Sequence, residues 1–209
     1  MGKITHICQD TREQKGKHKN IEQYMKARGI HIIRESGGLG FGDYTLPLDR
    51  KVVIDIKQDV IEIAGNLCGP QHERFRNECL RAQQVGSQLY VLIQENECNG
   101  KEITIPEDLV NWESPRYKFD YYKTEYLDPT TLSPVPKAIR NLEENKDIKY
   151  IKSRKLAHKK GDLITNVKGE TLGKVMRTME TKYGVKFLFC KENEAGQILL
   201  QLLGDDENA

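Results

Sequence analysis

No run of apolar residues in this 209-residue chain approaches the roughly 18 needed for a membrane span. The opening Met-Gly-Lys-Ile-Thr-His has no apolar core of the kind a signal peptide carries, and His6 stands where a myristoylation signal needs Ser or Thr. No membrane association is therefore expected. Cysteine is scarce and unpaired. The five (8, 68, 79, 98 and 190) are odd in number and contain no CxxC. That argues against a disulfide framework or a Cys-rich zinc site and for a reducing cytoplasm. Charge of one sign is lacking too: 33 Lys and Arg against 31 Asp and Glu leave a net of +2. A near-neutral total weighs at first against nucleic acid, but it averages over separated regions.

Several catalytic signatures are missing. The cluster Gly37-Gly38-Leu39-Gly40-Phe41-Gly42 is followed by strand-like sequence, so no helix N-terminus is available for a pyrophosphate, and there is no Walker lysine. The cluster reads instead as a turn beside a site. His72-Glu73 does not extend to HExxH because Arg76 fills the last position, and no GxSxG elbow exists.

What is present is a mixed α/β pattern around one central sheet. Strands are expected at 4–9, 31–35, 43–48, 51–57, 88–94 and 185–190, with helices at 20–28, 71–86, 171–183 and 196–203. Residues 96–168 lose periodicity and hold five of the seven prolines (106, 115, 129, 134 and 136). They read as an insertion or loosely structured subdomain between an N-terminal part, 1–95, and a C-terminal part, 169–209, with an acidic tail.

Chemistry concentrates in the segment Lys51-Val-Val-Ile-Asp-Ile-Lys57. Strand alternation places Val52, Ile54 and Ile56 on one face, suited to the core, and Val53, Asp55 and Lys57 on the other. A hairpin centred on Asp49 sets Asp43 opposite Asp55. Directly opposed carboxylates about 5 Å apart repel by roughly 3 kcal/mol at an effective dielectric near 20. A cation between them resolves that cost. Both are hard oxygen donors of the kind Mg²⁺ prefers, and Lys57 could orient a water or help deprotonate it. The competing explanation is a surface hairpin with ordinary alternating charges.

The segments Asp10-Thr11-Arg12-Glu13, Gly42-Asp43-Tyr44, Ile54-Asp55-Ile56-Lys57 and Glu73-Arg74-Phe75-Arg76 occur in this order. Together they resemble the D-x-R-E, G-D-Y/F, V-E-R-K and R-F-R motifs of the PD-(D/E)xK nuclease superfamily, specifically its XPF-type structure-specific endonuclease domain. The closing stretch from Thr178 through Tyr183-Gly184-Val185 to Phe187 is similar to the end of that fold in phage or prophage members. The resemblance covers 1–95 and 169–204. It implies a restriction-endonuclease-like fold, a mixed central sheet flanked by helices. It further implies a Mg²⁺-dependent DNA endonuclease, with Mn²⁺ as a substitute, acting on branched, flapped or otherwise structured DNA in repair or recombination. By the same resemblance Asp43 and Asp55 bind metal with Asp10 and Glu13 close by, and Asp43, Asp55 and Lys57 form the catalytic set. Asp55 and Ile56 replace the family's Glu and Arg, no clear acid follows the lysine (Asp59 and Glu62 are off position), and a helix-hairpin-helix module is absent.

Candidate nucleic-acid contacts are Arg74, Arg76 and Arg81 on the 71–86 helix and the basic run 149–160, including Lys152, Arg154, Lys155, Lys159 and Lys160. That run is otherwise a solvated charged loop. Tyr117, Tyr121, Tyr122 and Tyr126 stack on bases or simply pack the insertion. The expected partner is DNA. A homodimer, and a host or phage protein bound through the insertion, are further candidates, and a bacterial host cytoplasm is the compartment if the protein is phage-encoded. The alternative function is a DNA-binding or phage partner protein with a decayed nuclease fold.

Overall fold

A computed structural model gives the architecture. It describes residues 3–10, 17–35, 39–69, 71–114, 118–160 and 167–205, without the side chains of 118–124 and 154–160. The chain divides into two compact units, one of Met1–Pro115 with Ile164–Ala209 and a second of Arg116–Leu163.

The first unit holds a mixed sheet of six strands. In chain order these are β1 (His6–Asp10), β2 (His31–Glu35), β3 (Tyr44–Thr45), β4 (Val52–Lys57), β5 (Gln88–Ile93) and, late in the chain, β10 (Lys186–Phe189). Their spatial order is β10-β5-β4-β3-β1-β2. Only β3 runs against the others, pairing antiparallel with both β1 and β4, while the remaining neighbours are parallel. The hairpin forms in the expected register, with Tyr44 opposite Ile54 and Thr45 opposite Val53. Its first strand is only two residues long, because the chain leaves the ladder after Thr45.

Helices cover both faces of the sheet. On one side, α1 (Lys19–Ala27) and α6 (Ala195–Leu202) pack Ile21, Met25, Leu199 and Leu200 against Ile7, Ile54, Ile56 and Leu92. On the other, α2 (Val60–Cys68), α3 (His72–Gln84) and α5 (Gly169–Tyr183) pack Ile63, Phe75 and Met176 against Val53, Val91 and Phe187. Both faces of β4 are thus buried. A parallel strand covered on both sides reads as a near-continuous apolar run, and β4 does so except at Asp55 and Lys57.

Of the expected insertion 96–168, the two ends, 96–115 and 164–168, belong to this unit. Strands β6 (Glu97–Cys98) and β7 (Lys101–Glu102) form a small hairpin, and a 3-10 helix follows at Pro106–Asn111. Ile103, Leu109 and Trp112 are buried in the α2/α3/α5 core. A Cβ at Gly169 would lie 1.6 Å from the Leu109 carbonyl oxygen, so only glycine admits the 3-10 helix this close to α5. The chain leaves and re-enters the unit at one point. Ser114 donates its N–H to the Val167 carbonyl at 3.0 Å, and Val167 donates to Ser114 Oγ at 3.0 Å.

The second unit is a two-stranded antiparallel ribbon of β8 (Lys118–Leu127) and β9 (Ile151–Lys160). Its connection carries α4 (Lys137–Arg140) and a 3-10 turn at Glu143–Asn145. The basic run is therefore mostly strand rather than loop. Among the described residues, no helix is long and apolar enough to cross a membrane.

Candidate active site

Strands β1 and β4 are parallel and β3 lies between them in the opposite sense. The C-terminal ends of β1 and β4 therefore meet the N-terminal end of β3 at one end of the central strands. Those ends carry Asp10, Lys57 and Asp43. Crevices beyond the carboxyl ends of parallel strands are the usual ligand sites of open α/β sheets. Here a cleft of about 430 Å³ opens, lined by Asp10, Asp43, Asp55, Lys57 and Arg74 from the sequence expectation. Lys17, Gln58, Glu62 and Glu78 also line it.

Backbone hydrogen bonds fix the acids relative to one another. Asp10 donates its N–H to the Asp43 carbonyl at 2.9 Å, and Asp43 donates to the Ile54 carbonyl at 2.8 Å. The Asp43 carboxylate accepts the Ile56 N–H at 2.7 Å, and that of Asp10 accepts the Leu39 N–H at 2.9 Å. Gly42 makes the entry possible. Its φ is +62°, and a Cβ there would lie 2.5 Å from Val53 Cγ1. The glycine cluster serves as a tight turn beside the site, as expected for its described residues 39–42.

Asp43, Asp55 and Lys57 are each 5% exposed. Lys57 Nζ lies 2.5 Å from Asp55 Oδ2. The contact is a short, buried ion pair in which the ammonium also hydrogen-bonds the carboxylate. Burial works against the Lys57 charge, but the carboxylates of Asp55, Asp43 and Glu62 outweigh it and hold the ammonium above its ordinary range.

Glu62 and Glu78, from the helices over this face, also line the cleft, whereas Asp59 does not. Asp59 is the N-cap of α2, accepting the Glu62 N–H at 2.7 Å, so it turns away from the role of a third acid. Burial opposes ionisation of Glu62, but the Gln58 N–H and the charges of Lys57 and Lys17 prevail and hold its carboxyl below the usual range. Glu78 on α3 moves the other way. Burial and the Asp55 charge raise it against the pull of Arg74, Lys57 and Arg81. One cleft thus holds two glutamates whose environments drive them apart, the pattern that separates acid and base roles. Glu62 is weighed in the sequence only as an acid off position, and Glu78 has no signal beyond its i,i+4 spacing from Arg74.

The remaining candidates disperse. Arg74 sits at the cleft rim, with Nε 3.8 Å from Glu78. Arg76 is half-buried and Arg81 donates Nε–H to the Gly40 carbonyl at 3.0 Å; neither lines the cleft. Glu13 lies outside the described residues. Lys152 is exposed on β9, and Arg154, Lys155, Lys159 and Lys160 are described in that strand by backbone alone.

Among the described residues, no three His, Cys, Asp or Glu side chains stand grouped to cage a metal. Mg²⁺ does not need a cage, since it keeps several waters and commonly takes one or two carboxylates. The all-oxygen donor set at Asp43 and Asp55, both lining the cleft, suits such an ion. No protein-family model matches the chain, and no curated protein matches it either.

Proposed function

We propose that this protein is a Mg²⁺-dependent DNA endonuclease with a restriction-endonuclease-like fold, of the PD-(D/E)xK, XPF-type kind. The observation that carries the reading is the convergence of Asp10, Asp43, Asp55 and Lys57 on one cleft at the ends of the central strands. The proposed substrate is branched, flapped or otherwise structured DNA, met in the cytoplasm. Asp43 and Asp55 would hold the ion, with Asp10 beside them, and it would supply positive charge for the phosphoryl oxygens and acidify a water for attack; Mn²⁺ would substitute. Lys57 is positioned to orient that water or a phosphate oxygen, because the Asp55 carboxylate fixes its ammonium. Arg74 at the rim offers a fork for a neighbouring phosphate.

A second reading, a DNA-binding protein with a decayed nuclease site, draws on the Lys57–Asp55 pair, which neutralises one of the two acids, and on the lack of a three-ligand group among the described residues. A cleavage panel on single-stranded, duplex, flap and four-way DNA, with Mg²⁺ or with EDTA, separates the two. The nuclease reading expects metal-dependent cutting of at least one structured substrate. Binding without cutting on every substrate selects the second.

A further inference from the structure

We infer that the β8–β9 ribbon is an arm that enters the major groove of duplex DNA. The inference rests on the nuclease reading only in naming DNA as the polyanion. The two strands hold seven Lys and Arg against two Asp and Glu, whereas the 128–150 connection holds four of each. The charge is thus concentrated on the ribbon itself.

The register argues for an anionic ligand. Of its ten cross-strand pairs, two set lysine against lysine: Lys118 with Lys160, and Lys123 with Lys155. Like charges directly opposed weaken a hairpin, and polyanion phosphates relieve that cost. By strand alternation these two pairs fall on opposite faces of the ribbon. Both faces are therefore basic. A membrane or a flat acidic protein surface would meet only one of them, whereas a groove has a phosphate wall on each side. The major groove, about 12 Å wide, admits a two-stranded ribbon. Ten residues at about 3.3 Å each reach about 33 Å, close to one turn of B-form DNA. At the end of the ribbon that joins the connection, the Tyr126 ring carries Lys152 Nζ from β9 at 6.0 Å and the Arg140 guanidinium from the connection at 3.7 Å, so one cation beyond the strands gathers there too.

The test uses the full chain in EDTA, so that no substrate is cut. Fluorescence anisotropy is read over a salt series with a 30-base-pair DNA duplex, the RNA duplex of the same sequence and the single DNA strand. DNA duplex is expected to bind at least tenfold tighter than RNA duplex, whose A-form major groove is too deep and narrow to enter. The triple variant Lys152→Gln, Lys155→Gln, Lys159→Gln should lower the slope of log K against log salt by about 3, at roughly 0.9 per phosphate contact. Arginine at the same positions should preserve it. An unchanged slope, or equal or tighter binding of RNA duplex or single strand, overturns the inference. If the triple glutamine variant fails to fold by circular dichroism, the comparison of wild-type binding to the two duplexes decides alone. Ribbon-dependent duplex binding with no metal-dependent cutting would sink the nuclease reading and leave this one standing. Cutting that ignores the ribbon does the reverse.

Discussion

Asp55 and Lys57 place opposite charges at the end of a strand buried on both sides, where either alone would be costly. Removing one partner of such a pair leaves the other unpaired and typically costs about 3–5 kcal/mol. Lys57→Ala should therefore lower the unfolding free energy from urea titration by an amount of that order, and should lose cleavage while calorimetry still detects Mg²⁺ binding. The sign of the pH dependence follows from the direction of the lysine's shift. Its folded value lies above its ordinary 10.5, so its contribution is complete below that pH and is lost as pH rises through the folded value. An alkaline titration of stability should fall more steeply for the wild type than for Lys57→Ala. Asp43→Asn and Asp55→Asn remove a charge and keep the shape. Each should abolish cutting while DNA binding survives, and wild-type-like cutting by either variant contradicts the assigned roles.

Elements act on the site through the turn that begins β3. Gly42→Ala would force an L-residue into the left-handed region, at about 1–3 kcal/mol, and would press its Cβ on Val53. A lowered melting temperature together with loss of cleavage is expected, because Asp43 is the next residue; full activity with full stability would contradict the turn's role. The hairpin was legible in the sequence from alternation and a turn at Asp49; its register, open there to a slip of one or two residues, is the centred one in the structure. Asp43 and Asp55 were legible from that hairpin, and Asp10 from the motif resemblance at the end of the first strand. Helix α2 was not. Its stripe of Val60, Ile63, Ala64 and Leu67 has helical spacing, but the β-branched Val60-Ile61 continues the strand before it. With α2 unread, Glu62 had no element to place it in the cleft. Residues 96–114 were misleading in another way. Short turns and Pro106 resemble an irregular insertion, yet Ile103, Leu109 and Trp112 are core. Strand β8 is rich in tyrosine and β9 in Lys and Arg, and neither has an apolar period, so only the pairing reveals them.

For the whole molecule, the +2 total is a sum of unlike parts. The Arg116–Leu163 unit holds twelve Lys and Arg against seven Asp and Glu, a net of +5, and the rest of the chain has 21 against 24, a net of −3. Replacing 115–166 by a short Gly-Ser linker should leave a chain that unfolds cooperatively in urea and binds DNA more weakly and with less salt dependence. Removing 96–168 instead takes away Ile103, Leu109 and Trp112 and should leave no cooperative transition. A broad, non-cooperative transition after the shorter deletion would contradict the division into units. The paired hydrogen bonds between Ser114 and Val167 have a further consequence for how such a chain can evolve. Because the exit and return strands lie side by side, any segment with neighbouring ends can be exchanged there without disturbing the sheet. Under the proposed function, the chemistry of the cleft and the choice of target could then be inherited separately, the cleft keeping its acids while the ribbon drifts, lengthens or is replaced.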